Sequence, residues 1–190
     1  VKVEQGGQLY ERWVAFIGGG LDPSETKTIN ASLGRAFFVI DIKTGEIIWE
    51  YFHDSSVNYP NTDPRRYMTY SFPAPPTAVD ITGDGYVDKV YIGDLGGQLW
   101  AFNVSFNALN KTSNSLWSAS RLTQPPASNA EKHPVYYQPA IAFDDNRHPW
   151  VFYGTGDREN PLDTTNPNEF FYAVKDDGLG VYPRRENQEL

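Results

Sequence analysis

Short apolar runs, rich in β-branched and aromatic residues, recur along the chain, each closed by a glycine or a polar turn. Three of them resemble one another: Trp13–Gly20, Lys89–Gly96 and Trp150–Asp157. A run of this kind ending in glycine reads as a buried strand entering a tight turn. Each is followed by a second strand pattern, at Arg35–Asp41, Gln98–Asn103 and Glu169–Lys175. In two units a third strand carrying a tryptophan comes next, Glu46–Tyr51 with Trp49 and Ser115–Leu122 with Trp117. A leading strand precedes the second and third units, at Thr77–Asp80 and Pro139–Asp144. In register these segments give the order A-B-C-D of a four-stranded antiparallel sheet. Repeated sheets that cannot bury both faces alone stack on their neighbours, which predicts an all-β fold, a partial and open β-propeller. The blades fall at about 1–53, 70–122 and 134–178, followed by a tail over 179–190. The pattern enters at strand B of the first blade and stops near strand C of the third. A β-sandwich with long loops is the competing architecture, but its strands would be more evenly spaced.

Composition narrows the function classes. Sixteen glycines and fourteen prolines suit many short strands and turns rather than helix bundles. Sixteen basic against 24 acidic residues leave a net charge of −8, which disfavours binding to a phosphate backbone and so argues against nucleic acid as a partner. No apolar run approaches the roughly 18 residues of a membrane span, and no basic amphipathic segment suggests surface attachment, so direct membrane insertion is not expected. The first residues lack an apolar signal core, so a secretion signal is expected outside this sequence. The absence of cysteine excludes disulfides, thiolate zinc sites and thiol nucleophiles. Three stretches rich in Pro, Asn, Ser and Thr, 21–33, 54–70 and 123–133, read as surface loops.

One segment carries metal chemistry. From Asp80 to Asp88, side-chain oxygens stand at the first, third, fifth and ninth positions: Asp80, Thr82, Asp84 and Asp88. Gly85 is sixth, and Tyr86, seventh, offers its carbonyl. Calcium takes six to eight hard oxygens from alternating positions of a loop that a glycine lets turn sharply. The twelfth position is Tyr91 rather than a bidentate glutamate, and a strand follows, so this is an EF-hand-like loop carried on a β-hairpin. The bland alternative is an ordinary Asp/Gly turn, against which stand three carboxylates in nine residues that repel one another without a cation. The third unit is an internal control: its matching turn, Asp144-Asp145-Asn146-Arg147-His148, is three residues shorter.

Other candidates are structural. The turn Asp41–Trp49 and Trp117 read as packing elements between blades. His53, His133 and His148 lie on three separate loops with no metal-like spacing. No serine sits in a nucleophile elbow, and neither Gly18-Gly19-Gly20 nor Gly154-Thr155-Gly156 precedes a helix, so no phosphate cradle is expected. Gly154–Pro161 sets Arg158 between Asp157 and Glu159, which reads as a salt-bridged turn. Asn30, Asn103 and Asn110 begin glycosylation sequons of the kind an Asn-rich chain shows by chance. No catalytic or cofactor-binding residue emerges.

The stretch Asp80–Trp100 resembles the C-terminal β-propeller domain of the type IV pilus assembly and tip-adhesin family called PilC/PilY. Gly154–Pro161 is similar to a second hallmark of that family, and Asp41–Trp49 to a turn shared with quinoprotein-type propellers; the resemblance runs over about 13–178. It implies quinoprotein-like blades and a calcium ion, Ca2+, held by Asp80, Thr82, Asp84, Asp88 and the Tyr86 carbonyl. Thr82 stands where Asn or Asp is more usual, which implies a weaker site. The resemblance also implies a secreted bacterial protein at the cell surface, pilus tip or outer membrane, with pilins and host or surface receptors as partners of the parent protein. On this reading the segment is not an enzyme, and calcium occupancy regulates pilus extension against retraction. Two alternatives remain open here, a quinone-dependent dehydrogenase fragment and a generic extracellular, lectin-like binding scaffold.

Overall fold

The computed structural model describes residues 1–26, 29–57, 63–105, 117–124, 126, 132–162 and 169–178. Its strands form four antiparallel sheets in which each strand pairs with its neighbour in the chain. A hairpin of β1 (Lys2–Gln5) and β2 (Gln8–Glu11) comes first. Sheet one holds β3 (Val14–Gly18), β4 (Ala36–Asp41) and β5 (Ile47–Phe52). Sheet two holds β6 (Thr77–Val79), β7 (Lys89–Gly93), β8 (Leu99–Asn103) and β9 (Ser118–Arg121). Sheet three holds β10 (Ala140–Phe143), β11 (Pro149–Gly154) and β12 (Phe171–Lys175). A single 3-10 turn, Pro64–Tyr67, is the helical element among the described residues. None of the sheets closes on itself.

The strand order matches the expected repeat: B, C and D in sheet one, all four in sheet two, and A, B and C in sheet three. Three differences stand out. The hairpin β1–β2 was not anticipated, although Gly6-Gly7, both with positive φ, is a hairpin dipeptide. Trp13 lies outside β3 with 87% of its surface exposed. The ends of two expected runs, 94–96 and 155–157, are turns rather than strand. The tail over 179–190, the Asn110 sequon and much of the 123–133 loop fall outside the described residues.

Side-chain alternation explains why sheet two is apolar on both sides. One face, with Val90, Ile92, Trp100 and Phe102, packs on Phe37 and Val39 of sheet one. The opposite face, with Tyr91, Leu99 and Ala101, packs on Val151 and Tyr153 of sheet three. The chain therefore builds a stack of three sheets with two cores, not the two-sheet sandwich. In the first core the rings of Phe37 and Phe102 stack face to face at 4.0 Å. Trp49 meets Phe102 and Trp117 edge-on, at 6.1 and 5.9 Å, and so joins sheet one to sheet two. The turn that delivers Trp49 is tied by Asp41, whose Oδ1 accepts from the N–H groups of Lys43 and Thr44.

The outer faces of the stack have no such cover among the described residues. By the same alternation Ile17, Phe38, Ile47 and Phe52 face away from sheet two on sheet one, and Trp150, Phe152 and Phe171 do so on sheet three. Ile17, Ile47, Phe52 and Phe171 are exposed.

Candidate functional site

The loop Asp80–Asp88 joins β6 to β7, and its backbone winds about the first carboxylate. Asp80 Oδ1 accepts from the N–H groups of Gly83 (2.6 Å) and Asp84 (3.3 Å), and Oδ2 from that of Gly85 (2.7 Å). Gly83 and Gly85 take φ of 77° and 88°, a region that other residues rarely adopt. The N–H donors, that of Gly85 first, hold the Asp80 carboxyl below its usual range. Asp88 closes the loop: its Oδ2 accepts from the N–H groups of Ile81 (2.8 Å) and Thr82 (2.9 Å), and its own N–H donates to the Val79 carbonyl (2.9 Å). The Thr82 hydroxyl lies between the two carboxylates, 3.3 Å from Asp80 Oδ1 and 3.1 Å from Asp88 Oδ2.

Asp84 turns the other way. Its Oδ1 accepts from the Tyr86 N–H at 3.0 Å, while Oδ2 faces Lys2 Nζ at 3.5 Å. The same ammonium sits 3.9 Å from the centre of the Tyr86 ring, and the Tyr86 hydroxyl donates to the Glu11 carboxylate. That hydrogen bond raises the Tyr86 phenol. The β1–β2 hairpin thus leans on the loop, and Lys2 supplies the positive charge that its carboxylates call for. From the other side, Arg147 donates to the Ile81 carbonyl at 3.0 Å.

The structure therefore brings Asp80, Thr82 and Asp88 together and sets Asp84 apart. Among the described residues no three carboxylates or imidazoles gather closely enough to share an ion. The donor chemistry suits calcium, hard oxygens in one short loop, and Asp84 is the ligand that would have to leave Lys2. In the third unit Asp144 caps its turn in the same manner, accepting from the N–H groups of Asn146 and His148, both at 2.9 Å. Its other oxygen pairs with Lys175 Nζ at 2.7 Å, which depresses its carboxyl. The shorter turn is completed by protein groups.

No protein-family model matches the chain. Over 94 residues it is 34% identical to a type IV pilus biogenesis factor PilY1 homolog of Xylella fastidiosa, a match covering 49% of this chain and 6% of that protein. The fold is similar to the crystal structure of the Pseudomonas aeruginosa PilY1 C-terminal domain, with a TM-score of 0.58 and 21% identity over 88% of this chain. The chain is similar to PilY1 proteins, in sequence over half its length and in fold over most of it. It spans about a third of that solved domain and a small fraction of the full-length homolog.

In this PilY1-type fold the turn between β7 and β8 holds a buried carboxylate that spacing alone does not reveal. Asp94 is fully enclosed, its Oδ1 accepting from the N–H groups of Gly96 (2.9 Å) and Gln98 (3.0 Å). Its Oδ2 accepts from Gln98 Nε2 (2.8 Å) and the Trp100 indole N–H (2.9 Å). Burial pushes its carboxyl up to about 7, against the pull of those donors. The turn after β11 is likewise a built one, with Asp157 Oδ1 accepting from the N–H groups of Glu159 and Asn160. The histidines sit at three separate places: His53 against the Arg65 carbonyl, His133 beside Glu169, His148 beside Asp144.

Proposed function

We propose that this chain is a calcium-binding, non-enzymatic propeller segment of a type IV pilus biogenesis protein, in which loop occupancy biases pilus extension against retraction. The observation that carries the reading is the Asp80–Asp88 loop, nine residues with oxygen ligands at alternating positions and two glycines at positive φ. Asp80, Thr82, Asp84, Asp88 and the Tyr86 carbonyl would hold the ion, whose two charges offset three carboxylates more fully than the single ammonium of Lys2. The propeller reading is supported by the three stacked sheets and their repeated strand order. Pilins are the partners this reading implies, together with host or surface receptors of the parent protein, at the bacterial surface.

Calorimetry tests the site. Lacking a bidentate glutamate and using neutral Thr82, the loop should bind calcium with a Kd on the order of 10⁻⁶ to 10⁻⁴ M. Calcium at about 100 times Kd should then add about 2.7 kcal/mol of stability, read as a rise in Tm. Asp84→Ala should lose both the heat and the rise, while Asp145→Ala in the shorter turn of the third unit keeps them. Lys2→Met removes the ammonium that competes for Asp84 and should tighten binding severalfold. Equal titrations for wild type and Asp84→Ala would overturn the metal reading.

The regulatory half is checked in cells. A bacterium whose parent protein carries Asp84→Ala should show altered surface piliation with protein levels unchanged. Normal piliation across calcium concentrations would detach the loop from pilus dynamics.

A further inference from the structure

A cavity of about 300 Å³, separate from the Asp80–Asp88 loop, opens where loops of all three sheets meet. Glu25 comes from the β3–β4 connection, Leu95 from β7–β8, and Asp157 and Glu159 from β11–β12, while Tyr136 lies on the segment leading into sheet three. The three connections are equivalent, each following strand B of its sheet. The repeat itself therefore assembles the cavity, within the size range of small-ligand pockets.

Its charge is not balanced. Glu25 and Lys132, each with a side chain only 2% exposed, form an ion pair at 3.4 Å and cancel one another. The remaining hydrogen-bonding capacity of that pair is used inside the protein. Lys132 Nζ donates to the carbonyls of Thr26 (2.7 Å) and Ile29 (2.9 Å) and lies 4.8 Å from the Tyr70 ring centre. Glu25 Oε2 accepts from the N–H and hydroxyl of Ser71. Asp157 and Glu159, with Arg158 between them, leave one negative charge over. Tyr136 reports the resulting field: burial first, then the charges of Glu159, Asp157 and Glu25, raise its phenol, with Arg158 opposing. Leu95, Pro134 and the Tyr136 ring make the rest of the wall apolar. The adjoining wall already shows what it accommodates, an ammonium caged by carbonyls, a carboxylate and an aromatic ring.

We propose that this cavity binds an alkylammonium or guanidinium group on an apolar stem, the end of a lysine or arginine side chain presented by a partner protein. A bare divalent cation is a poorer fit, because the carboxylates here do not converge on one point. A basic side chain lays its methylenes on Leu95, Pro134 and Tyr136 and its charge toward Asp157 and Glu159.

The probes are Nα-acetyl-lysine amide and Nα-acetyl-arginine amide, with Nα-acetyl-norleucine amide as the uncharged stem. The readout is the NMR shift of the Glu159 and Asn160 amides and of the Tyr136 ring. Both basic probes should give saturable shifts at millimolar concentration, weakened severalfold in 0.5 M salt. Glu159→Gln, at an exposed position, should weaken binding fivefold or more without changing Tm. Asp157→Asn keeps an oxygen for the two turn N–H groups and should do the same. Equal shifts from norleucine amide, absent saturation, or undiminished binding in both variants would overturn the proposal. The calcium reading stands or falls separately, since none of these probes or variants touches the Asp80–Asp88 loop.

Discussion

Asp94→Ala is expected to be severely destabilising, leaving an unfolding transition at 25 °C that survives only at low denaturant. The substitution strips the acceptor from four enclosed donors: the N–H groups of Gly96 and Gln98, Gln98 Nε2 and the Trp100 indole. Leaving a buried donor unpaired costs about 1–3 kcal/mol. Even the low end of that range, taken four times, gives a loss of about 4 kcal/mol, most of the stability of a small domain. Trp100 lies between β7 and β9 and belongs to the first core, so the damage spreads from the turn into sheet two. The loss also carries a pH signature. Folded Asp94 keeps its proton up to about pH 7, whereas the free carboxyl releases it near 3.8. Its contribution is therefore full at low pH and declines as pH rises toward 7. The gap between wild type and variant should narrow from pH 5 to pH 7 by about 1.4 kcal/mol per unit and then level off. Glu25, Arg121 and Lys132 are the charged groups that share this environment, and they are common to both proteins. Chemical denaturation across pH, followed by tryptophan fluorescence, makes the measurement; a gap that widens toward pH 8 would contradict it.

Phe102→Ala is the second large effect. The ring is fully buried, stacked on Phe37 at 4.0 Å and met edge-on by Trp49 and Tyr51. Truncating a buried Phe costs about 3–5 kcal/mol, transfer and cavity together. What distinguishes this site is where the loss falls. Phe102 is the contact that sheet one and sheet two share most heavily, whereas Leu99 and Ala101 on the same strand face sheet three. Sheet one should therefore loosen first, with Trp49 emission moving to the red and amides of β4 and β5 exchanging faster than those of β11. Uniform acceleration across all three sheets would show that the two cores do not separate.

The strand order could be read from the sequence because each strand declares itself locally. Val90, Ile92 and the other β7 residues form an apolar run stopped by Gly93, and the same signal recurs in β3 and β11. The β1–β2 hairpin escaped that reading because β2 is exposed throughout, so no alternation between buried and polar positions marks it. The Asp80–Asp88 loop was legible as an acidic turn shaped by glycines, since all its members lie within nine positions. Its counter-charge was not: Lys2 is 82 residues from Asp84, and nothing in the spacing ties them. The same holds for Lys132 and Glu25, 107 residues apart. Asp94 fell inside an expected strand run, and its importance depends on Gln98 and Trp100 folding back over it, which only the strand register decides.

The uncovered outer faces have a consequence of their own. Ile17, Ile47 and Phe52 at one end of the stack differ from Trp150, Phe152 and Phe171 at the other, and Glu50 shares the first face as Lys175 shares the second. Two different apolar ends meet head to tail rather than face to self. Head-to-tail contacts have no built-in stopping point: each addition regenerates a free end, so growth closes only if the accumulated rotation completes a circle. A polypeptide that supplies its own further sheets to both faces removes those ends. In isolation, the segment carries the ingredients of a one-dimensional polymer.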